Sequence, residues 1–233
     1  MAKDIRYRRR RLADGKKDSF FVSSLLFFRW EQSPIMRLIH IHGGEPPKSA
    51  CRSSSRSDFM NETIRTLTTR RSVRRYKKAQ VCDEDLHLIL QAGMNAASAN
   101  GIEPCTIVVV QDTDTLARLT AMNAKIKGTD SDPLYGAPTA LVVLADMKKS
   151  PNAWSDGCLI LGNLMNAAAA LHLGSCWINR AKEEFELPEG KALLREWGLP
   201  EHLTGVGHCI VGYGDGPEPA APPRKDNFIK FIR

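Results

Sequence analysis

The chain has 233 residues, of which 42% are apolar and 25% are charged, with a formal net charge of +7. This length and composition predict a globular protein with one substantial core. The basic excess lies in residues 1–59, which carry 13 Lys and Arg against 6 Asp and Glu, whereas residues 60–233 carry 20 of each. Residues 60–233 are therefore balanced in charge. Their overall charge gives no reason to expect binding to nucleic acid or to an anionic membrane.

Residues 1–59 form a segment apart, with a basic run at Arg8–Arg11 and a mostly apolar block at Phe20–Phe28. The block is too short to span a membrane. A basic start before a short apolar run is similar to a secretory signal, but no clear cleavage site follows. The segment is a targeting leader, a disordered tail or upstream sequence included by a wrong start codon, and we favour the last. We expect a chain that starts at Met60 to fold and to function.

Organised pattern begins after Met60. Asn61 is placed to cap a short helix at Glu62–Thr69, and Asp83 opens a second helix with negative charge at its positive end. The small residues of Ala96–Gly101 follow. They are either an ordinary helix end or a place where a flat ligand approaches the backbone.

Continuous apolar and β-branched runs predict strands that are covered on both faces. Asp112 is placed to cap a helix between the first two strands, and a polar loop follows at Lys125–Tyr135. The four predicted strands are Thr106–Val110, Thr139–Ala145, Ser175–Ile178 and Gly205–Tyr213, with a short helix at Glu189–Trp197 before the last. Strands and helices alternate, which predicts a layered α/β or α+β domain with helices on both sides of a sheet.

The segment Gly157–Leu173 is apolar on nearly every face, its strongly polar side chains being Asn163, Asn166 and His172. A helix of this kind is buried in a core, in an interface or in a membrane. The alanine run Ala167–Ala170 favours a protein interior. We favour burial against a partner subunit over the centre of a monomer.

The C-terminal end combines an irregular arm with an apolar extended segment. Gly214–Pro223 holds four prolines, and Asn227–Ile232 is extended and apolar. A terminal strand on such an arm is suited to pairing with another chain.

Several common site patterns are missing from the sequence. It has no Gly-x-Gly-x-x-Gly turn after a strand, no Walker-type phosphate loop and no Gly-x-Ser-x-Gly elbow. The six histidines are scattered, and we interpret them as structural or surface residues. None of the six cysteines forms a C-x-x-C pair, so we expect reduced thiols, a cytoplasmic protein and no metal site.

The segment Arg70–Tyr76 has four arginines and a serine in seven residues. Guanidinium groups match phosphate oxygens two at a time, and a hydroxyl adds a further contact. If the chain folds these side chains inward, they form a strong anion site. The alternative is a solvated charged turn.

From Met60 onward the chain resembles the FMN-dependent nitroreductase family, over about 174 residues. Five motifs that carry the resemblance occur in order: Arg70–Arg74, Ala97–Pro104, Gly136–Pro138, Leu171–Ile178 and Pro223–Lys225. The resemblance implies an α+β fold of three layers, α/β/α, with a central mixed sheet and a C-terminal strand exchanged in a homodimer. It also implies that residues 60–233 form an FMN-binding domain.

The resemblance also implies a flavin site at the homodimer interface. Arg70, Arg71 and Ser72 would hold the phosphate and ribityl end of FMN. Arg74 would lie near the pyrimidine edge of the ring, where a cation favours the reduced flavin. Eight further positions are implied: Ser98, Asn100 and Glu103 at the polar edge of the ring from the partner chain, Trp177, Ile178 and Asn179 beside the ring, and Arg224 and Lys225 at the phosphate.

Two of these positions have consequences of their own. The Asn179 backbone N–H would lie near flavin N5, which accepts hydride. Glu103 stands where the family often has glutamine, and an ionised carboxylate accepts hydrogen bonds but cannot donate them.

The reaction implied by the resemblance is hydride transfer in two half-reactions, from NAD(P)H to the flavin and then to a nitroaromatic, a quinone or a similar small acceptor. It requires no side chain as acid or base, so we assign no catalytic residue. Nucleic acid and membranes are not expected as partners. In one alternative, the same fold and flavin are used for dehalogenation or flavin-dependent oxidation. The loop Lys125–Tyr135 would then decide which reaction takes place. The other is a non-enzymatic binder that uses the basic leader on nucleic acid.

Overall fold

A computed structural model describes residues 61–233, so the predictions for residues 1–59 lie outside the described residues. The helices are α1 (Glu62–Thr69), α2 (Asp83–Met94), α3 (Thr113–Lys127), α4 (Ala153–Ala170), α5 (Ala181–Glu186) and α6 (Pro188–Glu196). The strands are β1 (Cys105–Val110), β2 (Thr139–Ala145), β3 (Gly174–Ile178) and β4 (Thr204–Gly212). A 3₁₀ turn at Ala99–Gly101 lies between α2 and β1.

The four strands form one sheet in the order β1-β2-β4-β3, and every pair of neighbours is antiparallel. The last strand, β4, lies between β2 and β3 and runs antiparallel to both. Within the described chain the sheet is therefore antiparallel, where a mixed sheet was expected. The parallel pairing found in residues 61–233 is a single bridge between Ser72 and Ser175.

Alternation along β2 builds a three-layer arrangement. Ala140, Val142 and Leu144 pack toward α3, α5 and α6, whereas Leu141 and Val143 pack toward α2 and α4. All five side chains are fully buried. Successive strand residues point to opposite faces, so a strand that is apolar throughout requires a helical layer on each side. The α+β class with three layers is confirmed.

Local signals place most helix ends correctly. Asn61 Oδ1 accepts a hydrogen bond of 2.8 Å from Thr63 N at the start of α1, and Asp112 Oδ2 accepts one of 2.8 Å from Thr115 N in α3. Helix α3 continues to Lys127, so the predicted loop begins at Gly128, whose positive φ of 68° ends the helix.

Two helices differ from the sequence-based prediction. Helix α4 begins at Ala153, four residues before the predicted apolar segment, and ends at Ala170. Helix α5 was not predicted, because six residues give fewer than two turns of periodicity.

Helix α4 is not covered on all sides by its own chain. Leu161, Leu164 and Ala168 are fully buried, but Trp154 and Leu159 are 38% and 50% exposed. The expected terminal strand also has no partner strand within residues 61–233. Four of its apolar side chains are mostly exposed: Phe228, Ile229, Phe231 and Ile232. In the part of the chain that the structure describes, none of the helices has the length and apolar character needed to cross a membrane.

Candidate functional site

The arginine-rich segment Arg70–Tyr76 is held along the edge strand β3 and the end of β4. Val73 N donates a hydrogen bond of 3.0 Å to Ser175 O, and Lys77 N donates one of 2.9 Å to Tyr213 O. These two contacts fix the middle and the C-terminal end of the segment on the sheet. Its side chains therefore have a defined place, unlike those of a free charged turn.

The segment forms one wall of an open groove of about 880 Å³. The other walls are helix α1, the turn between α4 and β3, and the start of the C-terminal arm at Gly214–Pro219. The lining includes five arginines and three acidic residues: Arg65, Arg70, Arg71, Arg74 and Arg75, against Glu62, Asp215 and Glu218. Positive charge thus exceeds negative charge, which favours an anionic ligand.

Two of the arginines have buried nitrogen atoms without a hydrogen-bond partner, Arg70 Nη1 and Arg71 Nε. Arg71 is nevertheless held in place, because its Nη1 donates to Arg70 O at 2.8 Å and to Thr68 O at 3.1 Å. A buried donor without an acceptor costs about 1–3 kcal/mol, and more when it is charged. An anion in the groove would supply the missing acceptors, so these residues fit a phosphate group.

The next two arginines make contacts of their own. The guanidinium carbon of Arg74 lies 6.0 Å from the ring centroid of Tyr135, which is within the range of a cation–π contact. Arg75 faces Asp215 at 3.8 Å in an exposed ion pair. Arg74 is thus held at the groove by an aromatic ring, while the charge of Arg75 is partly offset.

The loop between α2 and β1 is organised by Asp156, which is 4% exposed. Its carboxylate accepts a hydrogen bond of 2.9 Å from Ser98 Oγ and one of 3.2 Å from Ala99 N. Glu103 N in turn donates to Ser98 Oγ at 3.0 Å. Asn100 and Glu103 have positive φ of 56° and 51°, so the loop is tightly curled. Sequence analysis missed Asp156, whose one signal was an acidic residue early in an otherwise apolar helix.

At the end of β3, the side chains of Trp177 and Ile178 belong to the core. The indole of Trp177 lies over Gly207, where a Cβ would be 2.9 Å from its Nε1, and Ile178 is 6% exposed on the opposite face. Asn179 is exposed, and its carbonyl accepts a hydrogen bond of 2.7 Å from Asn123 Nδ2. The side chain of Ile178 is therefore closed to a ligand beside the sheet edge, whereas Asn179 remains exposed there.

The two basic residues of the C-terminal arm lie outside the groove of their own chain. Arg224 and Lys225 are exposed, and Lys225 Nζ lies 5.7 Å from the ring of Phe228. The structure thus brings together Arg70, Arg71, Ser72 and Arg74 in one groove. Three other sets of predicted site residues do not line this groove: Ser98, Asn100 and Glu103; Trp177, Ile178 and Asn179; Arg224 and Lys225.

Comparisons with known proteins agree on one family. The model of the nitroreductase family matches residues 67–128 and 120–213. A protein of Archaeoglobus fulgidus, named for NADH dehydrogenase and NAD(P)H nitroreductase activity, is 33% identical over 158 residues, which cover 66% of this chain and 86% of that protein. An NADPH-flavin oxidoreductase of Vibrio harveyi is 36% identical over 184 residues, covering 71% and 70%.

A solved structure supports the same relationship. The crystal structure of a nitroreductase with bound FMN from Bacteroides fragilis superposes with a TM-score of 0.69 at 29% identity. The match covers 75% of this chain and 100% of that one. The residues that the family model matches include the four strands and the arginine cluster at 70–75.

Proposed function

Because this chain belongs to the nitroreductase family, we propose that it is an FMN-dependent oxidoreductase that uses NAD(P)H as electron donor. The names of its relatives and the FMN bound in a structural neighbour support this class of enzyme. The observation that carries the proposal is the pair of buried guanidinium nitrogens without partners, Arg70 Nη1 and Arg71 Nε, in a groove lined by arginines.

The groove residues would bind the phosphate end of the cofactor. Arg70 and Arg71 would donate to phosphate oxygens in place of the missing partners, and Ser72 would add a hydroxyl contact. Arg74 would supply a positive charge further along the groove. The chemistry that bound FMN supplies is hydride transfer in two half-reactions, from NAD(P)H to flavin N5 and then to a nitroaromatic, a quinone or a similar acceptor.

A second copy of the chain would complete the site. The exposed apolar residues of α4, Trp154 and Leu159, and the apolar tail at 228–232 support a homodimer, because large exposed apolar patches are typical of interfaces. In such a dimer the tail would pair with the partner, as expected for an exchanged strand. The loop at Ser98 and the arm at Arg224 would then face the flavin of the other subunit.

The cysteines favour the cytoplasm as the location of this protein. Five cysteines are free in the part of the chain described by the structure. Free thiols are typical of a reducing compartment. The acceptor would be a small molecule that enters beside the flavin.

The proposal is tested by titrating the apoprotein with FMN and following flavin fluorescence. Loss of a charge-assisted hydrogen bond costs about 1.5–3 kcal/mol, so we expect Arg70→Met to raise the Kd of FMN by about 10- to 150-fold. The control is Arg118→Met. Arg118 on α3 forms an exposed ion pair with Glu196 on α6, so this substitution should leave the Kd of FMN unchanged.

Turnover supplies the second arm of the test. The loaded protein should oxidise NADH or NADPH with a nitroaromatic or a quinone, with parallel lines in double-reciprocal plots. A wild-type protein that binds no FMN, or that never oxidises either nicotinamide, would refute the proposed function.

A further inference from the structure

A buried polar cluster lies between the sheet and the helices of the α3–α5 layer. Asn123 on α3, Glu184 on α5 and His208 on β4 are all fully buried. Asn123 Nδ2 donates to Glu184 Oε1, and His208 Nε2 lies 2.8 Å from Glu184 Oε2. The surrounding side chains of this layer are apolar, so the three residues form a connected polar network within a hydrophobic core.

The network ends on the backbone where the chain leaves β3. Asn123 Nδ2 also donates to Asn179 O at 2.7 Å, and Arg180 Nη1 lies 3.5 Å from Asn123 Oδ1. Both hydrogens of the Asn123 amide are therefore used. A flipped amide would place its oxygen against two acceptors, Glu184 and Asn179 O, so the amide has one favourable orientation.

The hydrogen bonds of His208 fix its role as well. Its Nδ1 is buried without a partner, so the proton belongs on Nε2, where it is donated to Glu184. The backbone of His208 is also the partner of Ile178 in the β3–β4 ladder. The residue therefore supports the end of β3 twice, through the sheet and through Glu184 and Asn123.

Buried polar groups destabilise a core unless they are hydrogen-bonded. Apolar side chains could fill the same space, so packing alone does not require a polar network here. Of the residues in this network, Asn179 is the exposed one, and its position follows directly from the donor that Asn123 supplies. The feature that the network controls is thus the backbone at the sheet edge.

We propose that Asn123, oriented by Glu184 and His208, is a positioning residue that holds the backbone at Asn179 toward the flavin. The proposal rests on the proposed function, because Asn179 is the position expected beside the flavin ring. Asn123 does not touch the cofactor in this account. It acts through the Asn179 carbonyl, while the pairing of Ile178 with His208 in the sheet holds the residue before it.

The first test uses hydrogen–deuterium exchange of the apoprotein, read by mass spectrometry on peptides that cover residues 174–186. We expect Asn123→Leu to raise at least tenfold the exchange rate of the hydrogen-bonded amides of these peptides, such as Glu184 N, which donates to Arg180 O at 2.9 Å. Met122→Ala is the control, because Met122 neighbours Asn123 on α3 but packs in the apolar core. This variant lowers stability without removing the network, so the exchange of the same amides should stay near that of the wild type.

The second test uses the loaded protein. In Asn123→Leu, the visible absorption bands of bound FMN should move toward those of free FMN, and the Kd of FMN should rise at least tenfold. Met122→Ala should keep the wild-type spectrum. If Asn123 had a purely structural role, Asn123→Leu would keep the wild-type spectrum as this control does.

A conservative variant covers the case in which Asn123→Leu does not fold. Glu184→Gln keeps the shape and one acceptor oxygen, so we expect a smaller rise in the exchange of the same amides. Unchanged exchange and an unchanged spectrum in the folded variants would overturn the proposal and leave the function intact. A wild-type protein without FMN affinity would overturn both the function and the flavin part of the proposal, whereas the exchange result would still decide whether the network holds Asn179.

Discussion

Asp156 shows how a single buried carboxylate shapes a loop that is distant in sequence. It is 4% exposed and accepts hydrogen bonds from Ser98 Oγ and Ala99 N, at the start of the curled segment. Cys105 lies close by, and burial, followed by the charge of Asp156, raises the pKa of its thiol to about 11. The loop and its surroundings are therefore arranged around one negative charge.

We expect Asp156→Ala to lower the free energy of unfolding by about 1–3 kcal/mol, because two donors lose their acceptor inside the protein. Urea denaturation of the apoprotein measures this. The exposed Asp130→Ala is the control and should change stability by less than about 0.5 kcal/mol. Equal effects of the two variants would show that the Asp156 contacts do not stabilise the loop.

At the scale of elements, α5 is pressed between α6 and β4. A Cβ at Gly190 would meet the carbonyl oxygen of Glu184, and a Cβ at Gly205 would meet that of Ala181. Both obstacles are backbone atoms, which cannot move aside as a flexible side chain can. Glycine at these two positions lets α5 approach closely enough for Glu184 to reach His208.

Gly190→Ala should therefore displace α5 and lower the free energy of unfolding by about 3 kcal/mol or more. Thermal and urea denaturation test this, with the neighbouring Glu189→Ala as control. Glu189 is exposed and pairs with Lys125 at 3.9 Å, so its loss should cost about 1 kcal/mol at most. Wild-type stability in Gly190→Ala would contradict the close packing of α5.

At the scale of the whole molecule, the apolar surface is larger than one chain covers. Helix α4 is mostly apolar, yet its Leu159 is half exposed, and the apolar side chains of the tail at 228–232 are also exposed. The groove at Arg70 and the loop at Ser98 lie on separate parts of the chain. These features agree with a site that two subunits share.

If that is correct, Leu159→Glu should convert a dimer into a monomer and weaken FMN binding at least tenfold, because a charge would be buried in the interface. Light scattering after gel filtration, with flavin titration, measures both effects. The matched control is Ala121→Glu, which places the same charge on an exposed position of α3 in the opposite layer. A dimer that survives Leu159→Glu with unchanged FMN affinity would exclude α4 from the interface.

Local features were predictable from the sequence. The caps at Asn61 and Asp112, the β-branched runs of the strands and the cluster at Arg70–Arg75 depend on neighbouring residues. Periodicity and capping act over a few residues, so they are visible in one sequence. The sequence also predicts an anionic ligand for the arginine cluster, since guanidinium chemistry is a property of residue type.

Long-range contacts were decided by the tertiary structure alone. Asp156 meets Ser98 across 58 positions, Asn123 meets Glu184 across 61, and β4 inserts between β2 and β3. No periodic pattern encodes such pairs, because they form only when separate elements pack. The sequence by itself determined that four arginines lie between residues 70 and 75, which predicts an anionic ligand. Only folding decided that Arg70 and Arg71 keep nitrogen atoms buried and free to bind it, since burial depends on the whole core around them.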